Sequence, residues 1–429
     1  MAELRYLERP LEAELDAAPI TAEDELGVLG ELTTGRPEPT SHRRPNRHLL
    51  TRMMGRLGHV PEHEAPRPAA AWLGRAAALL VGVFLIGTAF IATYVGALHQ
   101  AKPHAVPIGV VNDDVGAQAL LSSMGTTTFA TFTYPDPAGA DKALADRAVY
   151  AVLDTDPVND GLRLTLAGGA APGVADLIRQ TLSAATDAAH IPLSVRDSHP
   201  SAPRDPRGLT PFYVVVGWLL GGYLAATALA VIVGTVPRSG SRLAMRLGAF
   251  AAFAVLLGLS GAVLTGPGYH IWSGHLVALW LTGTLVVFAA TALTAALESW
   301  VGLVGTGLAM LVLFILGNPG SGGVYPPEFL PDPYRGLHTW LPTGQATGLV
   351  RAVEYFGGQS IAQPVAGLAA WTVAGLLAIV GATLVLGRRH PRLAIEAGPA
   401  APPALGPELE LDATVTEPAA AEPVEAVTG

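Results

Sequence analysis

The spacing of its apolar runs constrains this chain more than any other feature. One run, 72–98, comes first. About 110 residues of soluble-looking sequence follow, and five more runs then arrive almost without pause between Phe212 and Leu386. Crossing the hydrocarbon core of a bilayer takes about 20 apolar residues, and every run is close to that length or longer. The expected spans are 72–98, 211–235, 246–266, 275–297, 300–317 and 365–387. The expected fold is an α-helical polytopic membrane protein of six transmembrane helices in a 1+5 order, with a small extracellular α/β domain inserted after the first. The least marked boundary lies between the fourth and fifth runs, where only Glu298, Ser299 and Trp300 interrupt.

Composition agrees with this layout. Half the residues are hydrophobic, 14% are charged and mean hydropathy is +0.40, whereas an ordinary soluble domain is about 25% charged. The net charge of -9 is set largely by acidic tails, Glu3 to Glu31 and Glu396 to Glu425, while the spans are nearly neutral. There are no cysteines, which removes disulfides, thiolate metal sites and thiol nucleophiles together. Two lysines, Lys102 and Lys142, stand among 26 basic residues.

Arginine placement orients the spans. Arg36, Arg43, Arg44, Arg47, Arg52, Arg56 and Arg67 precede the first. Arg238, Arg242 and Arg246 follow the second, and Arg388, Arg389 and Arg392 follow the last. With six spans these clusters share one side, which the positive-inside rule makes cytoplasmic. Both termini are then cytoplasmic, the insertion at 99–210 is outside, and Arg75 snorkels near the inner end of the first span. Residues 1–45 read as a flexible tail with no signal peptide, and 391–429 as a disordered acidic tail. Within 46–70, Leu49, Leu50, Met53, Met54 and Leu57 share one helical face. That pattern suits a basic interfacial helix on the membrane or a helix packed on the protein's own inner face.

The insertion mixes strand and helix periods. Strands are expected at 106–112, 129–134, 150–153 and 162–166, and helices at 115–124, 138–148 and 174–188. At this length the insertion can bury its own core. His199 to Pro206 reads as a Pro-rich stalk into the 211–390 bundle. The loop 318–364 keeps many large apolar side chains among its Gly and Pro residues. It is expected to form short broken helices that cap the bundle or dip into it, with Arg351 to Tyr355 an outer interfacial turn. A structural lid and a substrate gate both fit.

Catalytic signatures are missing. A P-loop needs Gly-Lys followed by Ser or Thr, but the lysines follow Ala101 and Asp141. Glu298, His270 and His275 read as interfacial residues rather than an intramembrane relay, so any transport energy is expected to come from a partner. His99, His104, His190 and His199 lack the spacing and carboxylate support of a metal site. Asp113, Asp114, Asp154 and Asp156 suit turns and caps. Ser260 and Ser321 lack a nucleophile-elbow context. No enzyme activity, cofactor, metal or nucleic-acid partner is expected.

Tyr94 to Asp114 (YVGALHQAKPHAVPIGVVNDD) resembles the join between first span and outer domain in actinobacterial type-2 ABC exporter permease-like proteins, related to the phage-infection-protein group. Asn318 to Pro331 (NPGSGGVYPPEFLP), with Leu341-Pro342 and Tyr355-Phe-Gly-Gly358, resembles that family's outer segment before its last span. The resemblance covers about 72–390. It implies a plasma-membrane permease subunit, paired as a homodimer or heterodimer, moving an apolar or amphipathic substrate (lipid, drug or lipid-linked material) with a separate ATP-binding subunit below. The coupling candidates are then Arg52, Arg56, Arg238, Arg242 and Arg246. The outer-gate candidates are Asn318, Ser321, Gly322, Gly323, Pro326, Pro331, Tyr355 and Phe356. The alternative is a non-transporting receptor or assembly protein whose outer domain binds a partner.

Overall fold

The computed structural model describes residues 69–125 and 127–387. The expected tails 1–45 and 391–429, the 46–58 helix with Arg52 and Arg56, and Arg388, Arg389 and Arg392 lie outside the described residues.

Six apolar runs become six helices: α1 (Ala69–Leu98), α5 (Thr210–Val233), α6 (Gly240–Val263), α7 (Leu276–Val301), α8 (Val304–Gly320) and α11 (Ala362–Val385). Five are long and apolar enough to cross a membrane; α8, at 17 residues, is shorter. Between them lie α2 (Val115–Ser123), α3 (Pro137–Ala145), α4 (Pro172–Ala189), the single turn α9 (Tyr334–Leu337), α10 (Pro342–Tyr355) and five strands.

The strands are β1 (Val106–Val111), β2 (Phe129–Tyr134), β3 (Ala151–Asp156), β4 (Gly161–Leu166) and β5 (Leu193–Asp197), in sheet order β2-β1-β3-β4-β5. All pairs are parallel except the β3–β4 hairpin. Side chains alternate across the pleat. Ala151 and Leu153 face the core under α2 and α4, with Ile178 and Leu182, while Val152 faces the smaller core under α3, with Ala140 and Leu144. Asp114 caps α2 by accepting from Ala117 N at 2.9 Å, and Asp136 caps α3 by accepting from Gly139 N at 2.7 Å. β5 escaped the periodicity reading because it is a short edge strand whose last three residues are exposed.

The bundle is organised around α7, the most buried of the long helices. Glycines on four neighbours bring backbones into close approach to it. A Cβ on Gly258 of α6 would lie 2.5 Å from Thr284 N. One on Gly222 of α5 would lie 2.6 Å from Val287 O, one on Gly375 of α11 2.8 Å from Ala292 C, and one on Gly305 of α8 2.4 Å from Glu298 N. The α7–α8 break falls at Gly302, whose φ of +67° closes the turn. Glu298 and Ser299, expected to interrupt the apolar run, instead lie within α7 and are buried. By contrast α1 is almost wholly exposed from 76 to 98, with Leu79, Phe84 and Ile91 facing outward.

A further departure concerns the 318–364 loop. Its centre is α10, with Pro342 to Val353 buried apart from Gly348 among α5, α7, α8 and α11. Arg351 lies in this buried helix rather than in an interfacial turn. The helix fills the end of the bundle that meets the α/β domain.

Gly258→Ala should lower the stability of the detergent-solubilised protein by about 1–3 kcal/mol, the range for overpacking. Gly248→Ala on the same helix, where a Cβ meets nothing within 4 Å, should be neutral or slightly stabilising. Thermal unfolding of both variants checks this.

Candidate functional site

Two polar clusters sit at opposite ends of the bundle, with an apolar cleft at its flank. The domain-side cluster is built on α10. Arg351, 7% exposed, donates from Nη1 to Gly322 O at 2.7 Å and from Nη2 to Gly323 O at 3.2 Å. Ser321 holds that turn by donating to Asn318 O at 2.7 Å and accepting from Gly323 N at 3.0 Å. Among the described residues no carboxylate pairs with Arg351, so backbone carbonyl dipoles are what solvate its charge.

The same helix grips the α/β domain. Arg147, just after α3, donates to Gly348 O at 2.8 Å and lies over the Phe356 ring at 5.6 Å. Burial, then the nearby Arg351 charge, holds its guanidinium down to about 10. Arg147 has a φ of +61°, a left-handed conformation uncommon for a residue with a side chain. Tyr150 donates to Glu328 at 2.7 Å, and burial followed by that carboxylate pushes its phenol up. His199 stacks on Phe356 at 4.6 Å, and Trp272 donates to the Tyr355 hydroxyl at 3.2 Å. A Cβ on Gly169 would lie 2.6 Å from Tyr355 Cβ, so the domain approaches α10 at backbone range.

Six outer-gate candidates are thereby placed in this junction: Asn318, Ser321, Gly322 and Gly323 around Arg351, and Tyr355 and Phe356 against the domain. Pro326 is buried at the start of a short 3-10 turn, and Pro331 stands exposed on the loop surface. The junction is packed and hydrogen-bonded. The sequence reading missed Arg351 and Arg147. For Arg351 the signal was available: it is the one basic residue in an otherwise neutral stretch from Pro342 to Val353.

At the flank, Tyr94 and Leu98 of α1, Phe212, Tyr213 and Val216 of α5, and Asn318, Pro319 and Val324 line a largely apolar cleft of ≈ 270 Å³. Asn318 Nδ2 donates to the Tyr94 hydroxyl at 2.9 Å. α8 widens into a π-turn at Leu311–Leu316, and Thr343 satisfies its Leu313 carbonyl at 2.9 Å.

The opposite end carries the three described coupling candidates, Arg238, Arg242 and Arg246. Arg238 and Arg242 do not share the buried position of Arg246. Arg246 is 4% exposed and donates from Nη1 to Gly234 O at 3.1 Å and Thr235 O at 2.8 Å. Its Nη2 lies 3.9 Å from Oε2 of Glu298, which is 0% exposed. Thr227 and Thr306 both donate to Glu298 Oε1 at 2.9 Å. Arg246 thus does more than bias orientation, and Glu298, one turn from the end of α7 as expected of a span-end residue, is also fully buried within the protein. A cleft of ≈ 450 Å³ opens beside them, lined by Gly234, Thr235, Arg238, Ser299, Trp300 and Gly387 among others.

Arg351→Met keeps much of the side chain's bulk but leaves the Gly322 and Gly323 carbonyls unpartnered. It should destabilise by about 2–6 kcal/mol, since each of the two orphaned buried groups costs about 1–3, and should speed proteolysis between 199 and 209. Thermal unfolding and limited digestion check both. Comparison with protein-family models, with curated proteins and with solved structures returns no match.

Proposed function

We propose that this chain is the permease subunit of an export system, moving an apolar or amphipathic substrate across the plasma membrane with energy from a separate ATP-binding subunit. In this reading α8 is a sixth, short span. Both termini and the Arg238–Arg246 end face the cytoplasm, and the α/β domain faces outward. Two copies of the chain, or this chain and a related one, form the pathway.

The observation that carries the proposal is the flank cleft. It joins an apolar wall to one polar edge, Tyr94 and Asn318, and lies between the bundle and the almost unpacked α1. Ligand sites commonly pair an apolar lining with a few placed polar groups. An amphipathic molecule entering sideways from lipid would meet both. The lack of a Gly-Lys-Ser/Thr motif is why the energy source is assigned to a partner.

The alternative, a receptor whose outer domain binds a partner, would favour a domain free to present its surface. The domain is instead tied to the bundle by Arg147, Tyr150, His199 and Gly169, which favours a shared role for the two parts.

Affinity-tagged full-length protein purified gently from its native membrane should bring down a P-loop ATPase. Reversing the charges with Arg238→Glu and Arg242→Glu should reduce that recovery severalfold at equal expression. Repeated purifications that recover the chain alone would overturn the proposal.

A further inference from the structure

We propose that Glu298 is a proton-binding site at the arginine-bearing end of the bundle, loaded through the cleft beside Ser299. The inference goes beyond the permease reading and does not rest on it.

A fully buried carboxylate in an apolar bundle is costly to hold, and here each partner of the Arg246–Glu298 pair is only half satisfied. Arg246 spends its hydrogen bonds on Gly234 and Thr235, the carbonyls at the C-terminal end of α5, where a helix favours positive charge. Its Nε and Nη2, and Oε2 of Glu298, have no hydrogen-bond partner among the described residues. At 3.9 Å the two groups attract without a hydrogen bond. The arginine is therefore held by backbone whether or not Glu298 is charged.

The partners of Glu298 Oε1 are both threonine hydroxyls, and a hydroxyl can donate or accept. In the charged state Thr227 and Thr306 donate to Oε1. When a hydronium ion delivers its proton to Oε1 it leaves as water, the carboxylate becomes a neutral acid, and one hydroxyl turns from donor to acceptor. Arg246 keeps its charge and its carbonyls, so the net charge of the cluster changes from zero to plus one. A lysine or arginine in place of either threonine could not make that exchange.

Access comes from one end. Ser299, next to Glu298, lines the cleft, as do Gly234 and Thr235, the residues whose carbonyls hold Arg246. Ser299 also donates to Thr235 O at 3.1 Å, so a proton passing from cleft to carboxylate passes this hydroxyl. The polar and ionisable groups facing Glu298 are Arg246 from α6, Thr227 and, one turn away, Tyr223 from α5, and Thr306 from α8. Arg238 faces the cleft, and α11 carries no ionisable side chain from Ala362 to Val385. Proton uptake would loosen a clasp that joins α5, α6, α7 and α8 at one point.

The test is infrared difference spectroscopy of the full-length protein in lipid nanodiscs, between mildly alkaline and mildly acidic pH. The wild type should gain the carbonyl stretch of a protonated, buried carboxyl. Glu298→Gln should lack that band, and Glu354→Gln should retain it. Thr306→Val, which removes one of the two hydroxyl partners of Oε1 and serves if Glu298→Gln does not fold, should shift the frequency of that band, because the protonated carboxyl loses a hydrogen-bond partner. Superimposable wild-type and Glu298→Gln difference spectra would overturn the site, as would a band whose frequency Thr306→Val leaves unmoved.

Discussion

Close backbone packing around α7 is the constraint on which the rest of the structure depends. Helices in lipid gain nothing from burying leucine against leucine, because the lipid tails are equally apolar. They associate through tight contact and a few hydrogen bonds. Gly222, Gly258, Gly305 and Gly375 supply that contact from four directions, and they hold α5, α6, α8 and α11 at fixed heights along one axis. Once those heights are set, Thr227, Arg246 and Thr306 arrive together at Glu298, and the polar clasp at the arginine-bearing end follows from packing rather than from long-range attraction.

The other end is closed by a different device. α10 carries small and polar residues, Thr343, Gly344, Gln345 and Thr347, into the bundle. Two of its hydroxyls find partners: Thr343 on the Leu313 carbonyl of the π-turn, and Thr347 on Thr343 O one turn back in α10 itself. Non-helical backbone near membrane depth is tolerated only where protein satisfies it, and Arg351 does this for Gly322 and Gly323. The same helix ends against Gly169, His199 and Arg147 of the α/β domain. A movement of α10 would therefore move the domain and open the bundle end together.

The architecture was largely legible from sequence because it depends on long-period signals. Runs of about 20 apolar residues located all six helices to within six residues at either end, the largest offset being the start of α6 at Gly240 rather than 246, and alternation located four of the five strands. What escaped was set by tertiary contact. α10 has the composition of a loop and becomes a helix because four neighbours bury it. Glu298 looked like a boundary residue, since Glu298, Ser299 and Trp300 were the only interruption in the apolar run. The true break is at Gly302, where positive φ, not polarity, ends the helix. Arg246 read as one of three equivalent loop charges, although only its position on α6 turns it inward. No linear pattern records that a residue on one helix meets its partner 52 positions away.

Together these features describe a bundle with one closed, domain-bearing end and one charged end, and the orientation of those ends in the membrane is the central claim. Because the chain has no cysteine, it is a ready background for single-cysteine labelling. Val158→Cys in the α/β domain (86% exposed at Val158) and Ser241→Cys at the start of α6 are both surface positions. Treating intact cells with a membrane-impermeant maleimide should label position 158 and leave position 241 unlabelled until the membrane is permeabilised. Equal labelling of both positions, or labelling of 241 alone, would contradict the account.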